Sequence, residues 1–328
     1  MTEMTVAQFV AARFLPDHVA IKTSPGRRHY QAILKHVLTP EEVETIFGAP
    51  ADGTRSSKLH PKSDWPYMSS VKLNEANPEH VQRLIAAAVD GGYSSQTIRH
   101  IRNVVGAVFS HALRTRHFAG DNPASLVTLP SMKRRESHAL SLDQTLKVLE
   151  LMQYPEREVT LFAILTSMNI AEICGLQWKY VNLTEHHLSR EGQSIPPRSI
   201  VVRNQWYRGE LCTVPAGRRK SIPIPQLLFS VLHTLSRTKS SGWNDFVLST
   251  KSGRPINQIN LAARRLKNIG RELEMPWISW QVLRRTRGVL AYEFGTQIQH
   301  ELARAIPLLP ASSSPIAVVG KVYEKKRI

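Results

Sequence analysis

The chain has 328 residues, 42% of them hydrophobic and 21% charged, which suits a globular protein long enough for two cores and excludes a disordered one. Its formal charge of +17 would repel itself without a polyanionic partner, and nucleic acid is the commonest such partner. Two distant cysteines without ligand spacing, scattered histidines and no apolar run near ~18 residues argue against a disulfide framework, a metal site and a membrane span.

Cys174 and Cys212 read as small buried apolar residues in a reducing compartment, and MTEMTVAQFV lacks the basic start of a secretory leader, so a cytoplasmic protein is expected. Along residues 1–93 short helical patterns alternate with punctuation. Pro25 to Tyr30 leads into a helix carrying Ile33, Leu34 and Val37, and the polar stretch Ala49–Pro66 reads as a loop. From Ser94 the pattern sharpens: Ser94 or Ser95 caps a helix whose stripe is Ile98, Ile101, Val104, Val105, Val108, Phe109, Ala112 and Leu113. Its other face shows Arg99, His100, Arg102, Asn103, His111 and Arg114. That face reads first as solvated, with Arg99 and Arg102 as candidates for a polyanion. Gly120-Asp121-Asn122-Pro123 ends the helix, and the basic segment around Lys133, Arg134 and Arg135 lacks apolar periodicity. The expected domains are 1–132 and 141–328, joined by a linker at 133–140.

In the second part, Ser141 to Gln144 resembles a helix start. The helical pattern runs through Val159–Leu165, breaks at Ser167-Met168-Asn169 and resumes over Ile170–Leu176. Residues 199–225 hold β-branched stretches separated by Arg208-Gly209 and Ala216-Gly217, which predicts a small antiparallel sheet with two turns. From Asn257 the chain is helical again, with Ile259, Ala262, Ala263, Leu266, Ile269 and Leu273 on one face. In WQVLRRTRG, Leu283, Thr286, Leu290 and Phe294 mark the buried face and leave Arg284, Arg285 and Arg287 elsewhere. The fold class is mostly α with a small antiparallel β-sheet.

The order of these pieces resembles the phage-integrase family of tyrosine site-specific recombinases. SSQTIRHIRNVVGAVFSHALRTRHFAGDNPASLVTLP is similar to that family's core-binding helices, which end in an NP segment before the linker. LTSMNIAEICGLQWKYVNL resembles its GxRxxE…LxWxD motif, RRKSIPIP its hairpin end, SWQVLRRT its HxLRHT motif and KVYEKK its terminal tyrosine segment. The resemblance spans roughly residues 5–328. It implies a two-domain clamp on double-stranded DNA, assembly as a homotetramer on paired sites, and no metal or other cofactor.

The implied chemistry is attack of a tyrosine hydroxyl on a DNA phosphodiester, giving a 3′-phosphotyrosine and a free 5′-hydroxyl. Tyrosine is a poor nucleophile near neutrality, with a reference pKa near ~10, and the phosphorane gathers negative charge, so the family surrounds it with arginines, a histidine or tryptophan, and a lysine. By motif position Tyr323 is the candidate nucleophile and Arg284 a phosphate clamp, since a guanidinium fork grips two oxygens and stays charged. Glu172 matches the family's carboxylate. Asn169 stands where the first arginine belongs and Gln281 where histidine belongs, so two catalytic positions are degenerate. The hairpin lysine falls at Thr213-Val214-Pro215, with no lysine there, and no LGH group precedes Tyr323. Arg218, Arg219, Lys220 and Arg285 are further candidates for DNA contact, with a solvated turn as the plainer reading of the first three and Lys220 expected to meet backbone or solvent. Losing one preorganised donor costs about 10²–10³ in rate, so three readings stand: a recombinase with impaired catalysis, a recombinase-fold DNA-binding module without cleavage, and an unrelated basic RNA-binding protein.

Overall fold

The computed structural model describes residues 4–48, 64–131, 137–238, 242–294 and 301–303. It divides into two compact units, Met1–Arg135 and Glu136–Ile328.

In the first unit α1 (Val6–Phe9) starts at Thr5, whose hydroxyl accepts from the Gln8 N–H while Gln8 reaches back to the Thr5 N–H. It continues as a π-helical stretch over Val10–Val19. Helix α2 (Ser24–Leu34) begins earlier than its apolar positions suggest, because Pro25 lies in the first turn, where no N–H is needed. After α3 (Pro40–Phe47), only the end of the expected 49–66 loop lies within the described residues. There Trp65 is 6% exposed and its indole N–H donates to the His36 carbonyl at 2.9 Å. Its polar neighbours in sequence hid this anchor.

Asn77 caps α4 (Pro78–Asp90), and Ser94 caps α5 (Ser95–Arg114) by accepting from the Thr97 N–H at 3.1 Å. Ile98, Ile101, Val104, Val105, Val108, Phe109 and Ala112 are all buried, each large side chain contributing about 1.5–3 kcal/mol. Two residues of the supposed polar face behave otherwise. His111 is buried against Phe9 and Phe14, and Arg102 turns its Nε to the Ala124 carbonyl at 2.7 Å. The first follows from the N-terminal helical stretch packing on α5, and the second from the chain after α5 folding back to bring Ala124 beside Arg102.

The second unit opens with α6 (Leu142–Glu150), capped reciprocally by Ser141 and Gln144. The long helical pattern is in fact interrupted twice. Helix α7 (Glu156–Thr166) starts after a break at 151–155, and Ser167 ends it in the left-handed region (φ 55°) before α8 (Ile170–Cys174). The main sheet has the order β1 (Val181–Asn182), β4 (Ser199–Val202), β7 (Lys220–Pro223), all antiparallel, with Val202 opposite Lys220. Two hairpins flank it: β2 (Leu188–Arg190) with β3 (Gln193–Ile195), and β5 (Asn204–Tyr207) with β6 (Glu210–Thr213). The second hairpin turns on Arg208 and Gly209, both at positive φ (48° and 88°), as a two-residue turn of that hand requires. The Ala216-Gly217 turn is a short 3₁₀ segment.

Helix α9 (Gln226–Thr238) follows, then α10 (Gln258–Asn260), a π-helical stretch (Leu261–Leu266) and α11 (Lys267–Glu272). Leu266 and Ile269 are buried there, but Ile259 is 56% exposed, so the core face starts only at Leu261. Helix α12 (Trp280–Phe294) packs along α7, with Leu283, Thr286 and Leu290 fully buried. Among the described residues no helix is long and apolar enough to cross a membrane.

Candidate nucleic-acid interface

The second unit brings Arg284, Asn169, Glu172 and Lys220 together at one turn, Ser167 to Glu172. Its framework is α12, whose apolar positions recur at three and four and are sealed against α7. The Thr286 hydroxyl donates to the Val282 carbonyl at 2.9 Å and accepts from the Leu140 N–H at 3.0 Å. That burial sets the rotation of the helix, so Arg284, Arg285 and Arg287 are exposed on its other side. Arg284 is steered further: its Nε donates to the Ser167 carbonyl at 2.6 Å, across 117 residues of sequence. Gln281 is also exposed, one turn before Arg284 and Arg285 on the same helix. Among the described residues their terminal donors have no hydrogen-bond or ion-pair partner, so they can meet an anion.

Asn169 has a structural job. It is the cap of α8, its Oδ1 accepting from the Glu172 N–H at 2.9 Å while Glu172 Oε2 accepts from the Asn169 N–H at 3.0 Å. This reciprocal pair satisfies two otherwise orphaned donors, which explains why a short polar residue is at home there. The same Glu172 Oε2 receives the Lys220 ammonium at 3.1 Å. Glu172 is nearly buried and Lys220 is only part-exposed, so this lysine faces a carboxylate rather than backbone or open solvent. Where the resemblance placed a lysine, Val214 is buried in the core.

The other candidates are more dispersed. Arg218 and Arg219 are exposed in the turn before β7, and Arg219 also donates from Nε to the Val214 carbonyl at 3.0 Å. Arg99 is exposed on α5 in the first unit, while Arg102 there spends its Nε on Ala124. Lys133, Arg134, Arg135 and Tyr323 lie outside the described residues. Two residues escaped the sequence reading. Trp280, one turn before Arg284, has a buried indole N–H with no partner among the described residues, and so does Arg203 Nε at the end of β4. Adjacency to the two motifs was their only signal.

Cys174 is fully buried at the end of α8, and burial pushes its thiol up to about 12, so it is an inert core residue. No group of histidine, cysteine, aspartate and glutamate suited to a metal occurs among the described residues. The arrangement presents fixed cations to an anion such as a backbone phosphate.

No protein-family model and no curated protein matches the sequence. Solved structures do. The Tn1549 transposon integrase in complex with transposon right end DNA has a TM-score of 0.63 at 14% identity, covering 94% of this chain and 95% of that one. The same integrase with a circular intermediate DNA gives 0.62 at 16% identity, over 92% and 94%. A lambda integrase dimer bound to a core site gives 0.56 at 14% identity, over 91% of each chain. With its helices and small antiparallel sheets matching these integrases over nearly the whole chain, the chain has the tyrosine-recombinase fold.

Proposed function

We propose that the chain binds double-stranded DNA as a recombinase of the phage-integrase kind and acts in site-specific integration or recombination, with its strand-transfer chemistry impaired. The observation that carries this reading is Arg284 held on the Ser167 carbonyl, beside the Asn169–Glu172 turn, at the motif position of a phosphate clamp. The charge of +17 and a fold like that of integrases solved with DNA support it. In the proposed step the Tyr323 hydroxyl passes its proton to water as its oxygen attacks phosphorus, and water returns one proton to the leaving oxygen, so the step is proton-neutral overall. The bond to the 5′-oxygen breaks, and that oxygen leaves as a protonated hydroxyl. Arg284 balances charge on the non-bridging oxygens and Gln281 donates one hydrogen bond, but neither Gln281 nor Asn169 brings a charge or titrates near neutrality. DNA is the partner, a homotetramer on paired sites the working assembly, and the cytoplasm the location.

A second reading, DNA binding without cleavage, is favoured by Asn169 itself, whose side chain is already committed to its helix cap. One experiment separates the two. The protein is trapped on nicked duplex fragments of its own flanking DNA, SDS is added, and the attached protein is counted against Tyr323→Phe. An SDS-resistant adduct lost in the variant establishes transfer through Tyr323. Reversible binding alone establishes the second reading. Binding that is indifferent to salt between about 50 and 200 mM refutes both, because contacts to many phosphates release counterions.

A further inference from the structure

We infer that Lys220 delivers, from β7, the positive charge that Asn169 lacks, contacting a DNA backbone phosphate, and that Glu172 holds this lysine in place until DNA arrives. The inference rests on the DNA-binding function proposed above and names a specific contact within it.

The geometry is a shared oxygen. Glu172 Oε2 accepts from the Asn169 N–H at 3.0 Å and from the Lys220 ammonium at 3.1 Å. The ammonium therefore lies within the sum of those distances, about 6 Å, of the Asn169 nitrogen. That is no farther than an arginine side chain could extend from the same backbone, so the cation lies close enough to serve the turn that Asn169 occupies. The lysine backbone is fixed by its pairing with Val202 across β4 and β7, which aims a long stem at the turn. Arg284 reaches the same turn from α12 through Ser167, two residues before Asn169. Two elements far apart in sequence thus bring one cation each to a single segment.

The pair is also built to open. The Lys220 side chain is 33% exposed, against 9% for Glu172. A lysine has three rotatable donors on a flexible stem and can exchange one anion for another without moving the backbone. Glu172 keeps a partner when the lysine leaves, because the Asn169 N–H stays bonded to it. A phosphate beside Arg284 then competes with Glu172 for the lysine.

The test measures binding of the full chain to a fluorescein-labelled mixed-sequence duplex by anisotropy, over about 50–200 mM salt. Lys220→Gln should lower the slope of log K against log salt by about 0.9, the loss of one phosphate contact, and Lys220→Arg should keep it. Glu172→Gln, which preserves the helix cap because glutamine serves equally there, should tighten binding by roughly two- to five-fold, the equivalent of releasing a weak, part-exposed ion pair. The double variant Lys220→Gln with Glu172→Gln leaves no carboxylate stranded and should keep the reduced slope. An unchanged slope in Lys220→Gln, alongside wild-type binding, overturns the inference and leaves the DNA-binding function standing. Weaker binding in both single variants marks the pair as purely structural and overturns it too. A wild-type chain that does not bind the duplex removes the proposed function, and the inference with it.

Discussion

Gly175, at the end of α8, is where the site is most sensitive to a single added methyl group. A Cβ built there would lie 2.5 Å from the Trp206 nitrogen, 2.6 Å from the Gln205 carbonyl carbon and 2.7 Å from the Gln205 Cα. All three are backbone atoms of β5 and cannot rotate aside. Gly175 has φ −94° and ψ 2°, which alanine adopts without difficulty, so the cost is contact alone. Forcing apart packed elements costs about 1–3 kcal/mol, and with no side chain to yield, Gly175→Ala should sit near the upper end, about 3 kcal/mol. Two controls separate the causes. Gly209→Ala meets nothing within 4 Å but has φ +88°, so it should cost about 1 kcal/mol through conformation. Gly217→Ala meets nothing and needs no positive φ, so it should be neutral or stabilise by about 0.4–1 kcal/mol. The assay is urea unfolding followed by tryptophan fluorescence, since Trp178, Trp206, Trp243, Trp277 and Trp280, five of the six tryptophans, report on the second unit. With a urea dependence of about 2 kcal/mol per molar, Gly175→Ala should lower that unit's midpoint by about 1.5 M. If Gly175→Ala unfolds at the same urea concentration as Gly217→Ala, the close approach of α8 to β5 is wrong, and so is the placement of the Asn169–Glu172 turn.

Arg284→Ala should abolish any covalent adduct while weakening duplex binding by less than about tenfold, because one contact among many is lost; a variant that still forms adduct at the wild-type rate rules out the clamp. Asn169→Arg should raise adduct formation yet cost about 1 kcal/mol of stability, since the cap of α8 is lost with the asparagine; a stability as high as wild type would contradict the capping geometry. His36 is buried with no partner for its Nδ1 among the described residues, and burial, reinforced by Lys35, lowers it from 6.5 to about 4. The folded state therefore binds fewer protons than the unfolded one between those values. Stability of the first unit should be full above about pH 6.5 and fall on the order of 2–3 kcal/mol as pH drops towards 4. Unfolding followed at Trp65, which donates to the His36 carbonyl, should show this in wild type and not in His36→Leu; parallel pH profiles would exclude His36 as the cause.

The sequence by itself determined what is local. The stripe of α5 and the Ser94 and Ser141 caps were legible, as was the turn at Arg208-Gly209. So was the apolar face of α12. Each depends on spacing along a few consecutive residues, and helix or hairpin geometry follows from that spacing. The motif order likewise led to the expectation that Arg284 and Asn169 share one site, and Arg284 bonds two residues before Asn169. Only the tertiary structure decided which polar groups meet. Trp65 belongs to the core because His36 offers it a carbonyl, and Arg102 turns inward because the chain after α5 brings Ala124 beside it. Asn169 is committed to a helix cap, and Lys220 reaches Glu172 across 48 positions because β7 pairs with β4 while β5, which follows β4, packs on α8. A charged or polar side chain carries no periodicity of its own. Its partner is set by which distant segments the buried faces bring together, and that was settled by packing.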